Sequence, residues 1–84
     1  MAAIIETPID LGRTVRATRH ELGLTQDDLA LASGTGRRFI VNLESGKATV
    51  RLDSVLAVLE ALGLRIELHP GRARISGNGP DAGA

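Results

Sequence analysis

The sequence predicts an all-α domain of four short helices with one short β-strand at its C-terminal end. Three observations carry that reading. Apolar residues recur at three- and four-residue spacing through four segments, which are followed by glycines at Gly23, Gly34, Gly46 and Gly63. A four-residue stretch rich in turn formers, Ser33-Gly34-Thr35-Gly36, separates the second segment from the third. After Gly63 the period falls to two, with Leu64, Ile66 and Leu68 alternating with Arg65, Glu67 and His69.

The first helix starts at Thr7-Pro8-Ile9-Asp10. Thr7 is the N-cap, Pro8 occupies the first helical position where its missing N–H is harmless, and Asp10 lies in the acidic first turn. Leu11, Val15, Thr18 and Leu22 form its inward face, leaving Arg13, Arg16 and His20 on a polar one. Thr25 caps a short second helix through Asp27, Asp28, Leu29 and Ala32, with both acids at its positive end. A third helix runs from about Arg37 to Leu43. The fourth spans about Leu52 to Leu62, with Leu52, Val55, Leu56, Leu59 and Leu62 expected inward.

At 84 residues with no cysteine the chain allows one small domain, held by aliphatic packing or by a partner subunit rather than by disulfides or a zinc clip. Residues 1–6 read as an N-terminal arm, 7–69 as the folded domain and 70–84, with four glycines, two prolines and Ile75 as the sole sizeable apolar residue, as a disordered tail. No apolar run approaches the roughly 20 residues of a membrane span, and the start lacks a signal-peptide pattern, so a cytoplasmic protein with no membrane partner is expected. The formal net charge is zero. That neutrality hides an uneven distribution: residues 11–51 carry seven bases against four acids, and both ends are acidic.

Two short helices joined by a four-residue turn, the second opening on paired arginines, form the helix-turn-helix pattern whose second helix enters the DNA major groove. Leu24-Thr25-Gln26-Asp27-Asp28-Leu29-Ala30, Ser33-Gly34, Ile40-Val41-Asn42-Leu43-Glu44-Ser45-Gly46-Lys47 and Leu62-Gly63-Leu64 resemble the Xre/Cro-repressor family. Within it, Thr7-Pro8, the run Gly36-Arg37-Arg38-Phe39-Ile40 and a strand directly after helix 4 are similar to HipB-type antitoxins of type II toxin-antitoxin operons. The resemblance covers about residues 7–68 and implies a lambda-repressor-like helical domain.

Several residues then acquire candidate roles in DNA binding. Thr25 caps helix 2, and at that helix's positive end Gln26 is either a solvated side chain or, as the resemblance implies, a phosphate ligand. Arg37 and Arg38 open the recognition helix; an arginine fork matches guanine O6 and N7, a contact worth about 1–3 kcal/mol of discrimination, and the alternatives are phosphate clamps or a solvated pair. Gly36 has no side chain to reach a base and leaves readout to its neighbours. Asn42 could serve adenine or a phosphate, and Lys47 and Thr49 follow the helix where a phosphate would pass. Phe39, the only aromatic, either meets a thymine methyl or covers the seam between helices 3 and 4. Arg19 and Glu44 match family positions that form an ion pair joining helix 1 to the end of helix 3.

A lone strand leaves its backbone groups unpaired, so Leu64, Ile66 and Leu68 mark a dimerisation strand. Its partner is either the same strand of a second protomer, as the HipB resemblance implies, or Ile4-Ile5-Glu6. A two-fold dimer would present recognition helices about 34 Å apart and read an inverted-repeat operator in double-stranded DNA. The resemblance further implies a homodimeric antitoxin that represses its own operon and binds a cognate toxin, a HipA-like kinase, in the bacterial cytoplasm and on the nucleoid when bound. Two other readings stand beside it: a stand-alone repressor, and a protein-interaction adaptor. No enzyme, metal or cofactor is expected, because the two histidines are far apart in sequence and poorly supplied with cysteine or carboxylate neighbours, and no serine has a base-and-orienter set around it.

Overall fold

The computed structural model describes residues 2–77. Its elements are β1 (Ala2–Ile5), α1 (Pro8–Glu21), α2 (Gln26–Ser33), α3 (Arg37–Glu44), α4 (Leu52–Ala61), β2 (Leu64–His69) and β3 (Arg72–Gly77).

Local chemistry sets the helix starts. At α1, Thr7 Oγ1 accepts from the Asp10 amide at 3.2 Å, while Asp10 Oδ2 accepts from the amides of Thr7 and Glu6 at 3.1 and 2.9 Å. The same reciprocal box recurs at α2 between Thr25 and Asp28. Donation from the backbone, from Glu6 to Asp10 and from Thr25 to Asp28, holds both carboxyls below the usual carboxylate range. Gly34 ends α2 in the left-handed conformation, φ 70°, and the Thr35 amide returns to the Ala30 carbonyl at 3.1 Å. α3 follows after two more residues, with Gly36 as an N-cap that supplies no side-chain bond.

The helices enclose a core of Val15, Leu29, Ile40, Leu43, Val55, Val58 and Leu59, all at most 2% exposed. Gly12 lets α1 and α3 touch along their backbones: a Cβ there would stand 2.8 Å from the Glu44 carbonyl oxygen and closer still to that of Leu43. On α4 the inward residues are Val55, Val58, Leu59 and Leu62, whereas Leu52 and Leu56, expected inside, are 65% and 47% exposed. Leu22, also expected inside, lies at the exposed end of α1.

The terminal segments differ most from expectation. β2 and β3 form an antiparallel hairpin, with His69 opposite Arg72 across Pro70-Gly71. Proline at the first central position and Gly71 at φ 80° are what a type II turn requires. The segment expected to start a disordered tail is therefore a turn and a strand as far as Gly77; residues 78–84 of that tail lie outside the described residues. Ile75 is 2% exposed and belongs to the core. The expected N-terminal arm is also a strand, β1, which pairs antiparallel with β3 in the order β1-β3-β2. Thus β2 pairs with β3 of its own chain, which corrects the expectation that its partner is either the same strand of a second protomer or Ile4-Ile5-Glu6. Ile4 and Ile5 do join the sheet, but on β3 rather than on β2.

Candidate nucleic-acid interface

The interface is assembled from the end of α1, the start of α2 and α3. Arg19, near the end of α1, is buried. Its Nε and Nη2 donate to Glu44 Oε2 and Oε1 at 2.6 and 3.0 Å, and its Nη1 donates to the Leu24 carbonyl at 2.8 Å. With both side chains under a tenth exposed, this is a bidentate, charge-assisted pair. Glu44 raises the Arg19 pKa above its ordinary value, against the opposing effect of burial. Gln26 Nε2 donates to the same Glu44 Oε1 at 3.3 Å. One carboxylate thus joins α1, the first residue of α2 and the last residue of α3.

That anchoring fixes the start of α2 relative to the recognition helix. The Thr25 hydroxyl accepts the Asp28 amide in the cap. Gln26 is half-buried and donates from its amide nitrogen to Glu44, which leaves its amide oxygen and the backbone N–H groups of Gln26 and Asp27 at the positive end of the helix. Arg19, His20, Thr25, Gln26, Asp27 and Arg37 line an open depression of about 490 Å³ there, together with Gly23 and Leu24.

Along α3, Arg37 and Arg38 are exposed and Ile40 and Leu43 are buried. Arg37 Nε lies 3.3 Å from Asp27 Oδ1, whereas Arg38 has no ion pair or side-chain hydrogen bond among the described residues. Phe39 is half-buried and packs against the core cluster. Asn42 is half-buried, and its carbonyl accepts from the Ser45 hydroxyl at 2.9 Å and the Lys47 amide at 3.0 Å, closing the end of the helix. Lys47 and Thr49 are exposed in the loop that follows. Gly36 is exposed, and a Cβ there would meet nothing within 4 Å, so packing does not demand glycine at that position.

Two features went beyond the sequence reading. Asp27 touches the first arginine of the recognition helix, although its sequence position suggested only a favourable charge at a helix start. The Leu24 carbonyl is the third partner of Arg19, a backbone contact that carries no residue-type signal. Away from the interface, Leu64 and Ile66 pack on the core while Leu68 is 82% exposed, and β2 has no strand on its outer side among the described residues.

Residues 15–68 match the family model described as "Helix-turn-helix". The chain is 51% identical over 75 residues to the uncharacterized HTH-type transcriptional regulator y4mF of Sinorhizobium fredii (strain NBRC 101917 / NGR234), covering 88% of this chain and 99% of that one. Its fold superimposes on a chain of the solved "HipB-O4 20mer complex" with a TM-score of 0.72 and 28% identity, covering 77% of this chain and 92% of that one.

Proposed function

The chain belongs to the helix-turn-helix family of DNA-binding transcriptional regulators, and from that premise we propose that it is an antitoxin that represses its own operon and neutralises a HipA-like kinase. The observation that carries the DNA half is the exposed Arg37-Arg38 pair at the start of an α3 whose far end is locked by Glu44 to Arg19 and Gln26. A recognition helix must meet the groove at a fixed angle, and a buried bidentate pair supplies that fixity. Gln26 and the start of α2 take one phosphate, Lys47 and Thr49 another, and Asn42 lies between them on α3. Phe39 contributes by packing against the core beneath the recognition helix.

The antitoxin half is supported by the backbone likeness to HipB, which extends over most of the chain. The protein acts as a homodimer in this reading. The outer edge of β2 pairs antiparallel with its two-fold mate, and Leu56, Leu64, Ile66 and Leu68 supply the apolar cover; a groove of about 430 Å³ lined in part by Leu56, Leu64 and Ile66 runs beside that edge. Such a dimer reads an inverted repeat, and the work is done in the bacterial cytoplasm. No helix among the described residues is long and apolar enough to cross a membrane.

A second reading, a repressor with no toxin, is favoured by the likeness to a transcriptional regulator. Co-expression with the product of the adjoining reading frame, followed by affinity capture and gel-shift on the operon's own promoter, separates the two. Capture of the neighbour together with a promoter shift supports the antitoxin; a shift without capture leaves the stand-alone repressor, and neither result removes both. Leu56→Asp should turn a dimer into a monomer in sedimentation, and an unchanged dimer would rule out the β2 edge as the interface.

A further inference from the structure

The two arginines that open α3 are chemically alike and adjacent, yet their surroundings differ. Arg37 Nε lies 3.3 Å from Asp27 Oδ1, so the pair links the first turn of α2 to the first turn of α3. Asp27 is free for this because its neighbour Asp28 makes the capping bonds at the start of α2. Arg38 has no carboxylate within ion-pair distance among the described residues. We propose that Asp27 is a positioning residue that dedicates Arg37 to reading a base and leaves Arg38 to bind phosphate. This rests on the DNA-binding reading above and divides the labour within that site.

The chemistry follows from the guanidinium. It is planar and has two usable donor edges, Nε with one terminal nitrogen and Nη1 with Nη2. A carboxylate 3.3 Å from Nε, at ion-pair distance but not aligned as a hydrogen bond, draws the first edge toward Asp27 and leaves the terminal edge available. That terminal edge presents two parallel N–H groups, the geometry that guanine O6 and N7 accept. The same carboxylate repels a phosphate approaching Arg37. A phosphate is instead taken by Arg38, whose guanidinium has no acid beside it. Both partners are largely exposed, 66% and 75% for the side chains of Arg37 and Asp27, so the pair adds little to stability and its effect is orientational.

The test is selection of bound sequences from a pool of 30-base-pair duplexes with a randomised centre, using the full-length protein, followed by titrations of the selected site and its single-base variants. The wild type should select a guanine in each half-site, and replacing it should cost about tenfold or more in affinity. Arg37→Ala and Asp27→Asn should both flatten the preference at that base pair, with Asp27→Asn losing at least about threefold of the discrimination while keeping a wild-type urea midpoint. Introduced into Arg37→Ala, Asp27→Asn should change the preference no further. Arg38→Ala should weaken all sequences alike and lower the salt slope by about 0.9. If Asp27→Asn strengthens every sequence equally and leaves the guanine preference intact, Asp27 is only a repelling charge and the proposal is wrong. It is equally wrong if Arg38→Ala is the variant that flattens the preference. A wild type that selects no sequence at all overturns the DNA-reading function itself.

Discussion

Glu44 and Glu67 each gather several donors, but one sits among helices and the other on the sheet. Glu44, 5% exposed, takes Arg19 from α1 and Gln26 from α2 while itself belonging to α3. Glu67, 25% exposed, takes Arg74 at 2.8 and 3.2 Å, Ser76 at 3.0 Å and His69 at 3.2 Å, all on its own strand or on β3. The partners of Glu67 are already aligned by the backbone ladder, which sets Glu67 opposite Arg74. Nothing comparable aligns three helices. Orientation in the helical half therefore rests on side chains, and in the sheet half on main-chain pairing.

Removing the carboxylate on each side is the sharpest way to break that contrast. Glu44→Gln leaves the Arg19 guanidinium buried without its counter-charge, and the loss should be about 3–5 kcal/mol in urea unfolding. DNA binding should fall with it, because α3 loses its tie to α1 and α2. Replacing both partners together, Arg19→Met with Glu44→Leu, should cost much less than Glu44→Gln alone, since no charge is then stranded. A loss from Glu67→Gln as large as that from Glu44→Gln would contradict the division between the halves.

Two glycines extend the contrast to the backbone. Gly12→Ala forces α1 and α3 apart where their main chains touch, and the cost should approach about 3 kcal/mol, the upper part of the overpacking range. Gly71→Ala meets open space and is strained only by its φ of 80°, so about 1–2 kcal/mol is expected in the same urea measurement. Operator affinity sharpens the difference. Gly12→Ala should lower it at temperatures where the variant is still folded, and Gly71→Ala should not, because only the first displaces the recognition helix.

The helices are legible in the sequence because their signals are local. Thr7 with Asp10 and Thr25 with Asp28 state where α1 and α2 begin, and Gly34 states where α2 ends. The sheet is less legible. β3 holds one sizeable apolar residue, Ile75, whose burial depends on a core built by residues far away in sequence, and Pro70-Gly71 reads equally well as a hairpin turn or as the start of a tail. On α4, apolar residues occupy two stripes, and spacing alone does not say whether Leu52 and Leu56 or Val58 turns inward; packing against α2 and β2 decides it. The Arg37–Asp27 contact joins the starts of two helices ten positions apart and has no periodic signature. Arg19 with Glu44 could be paired from the resemblance alone, since 25 positions separate them.

The smallest expected effect belongs to Glu67, and its sign is fixed by titration. Hydrogen bonds from the side chains of Arg74, His69 and Ser76 lower its pKa from the ordinary 4.5 to about 2. A depressed native pKa means that the folded state favours the ionised form, so the contribution is fully present above pH 4.5 and is lost as pH falls toward 2. Asp10, Asp28 and Asp53 are lowered as well, so the acid profile of the wild type alone does not isolate the hub. The difference between wild type and Glu67→Gln does: their urea midpoints should differ by a constant amount from pH 5 to 7 and converge below pH 4. Added salt should narrow the gap, because the cluster is a quarter open to solvent. A gap that stays constant down to pH 2 would show that the glutamine disturbs packing rather than charge, and the sheet would then depend on that side chain as the helices depend on Glu44.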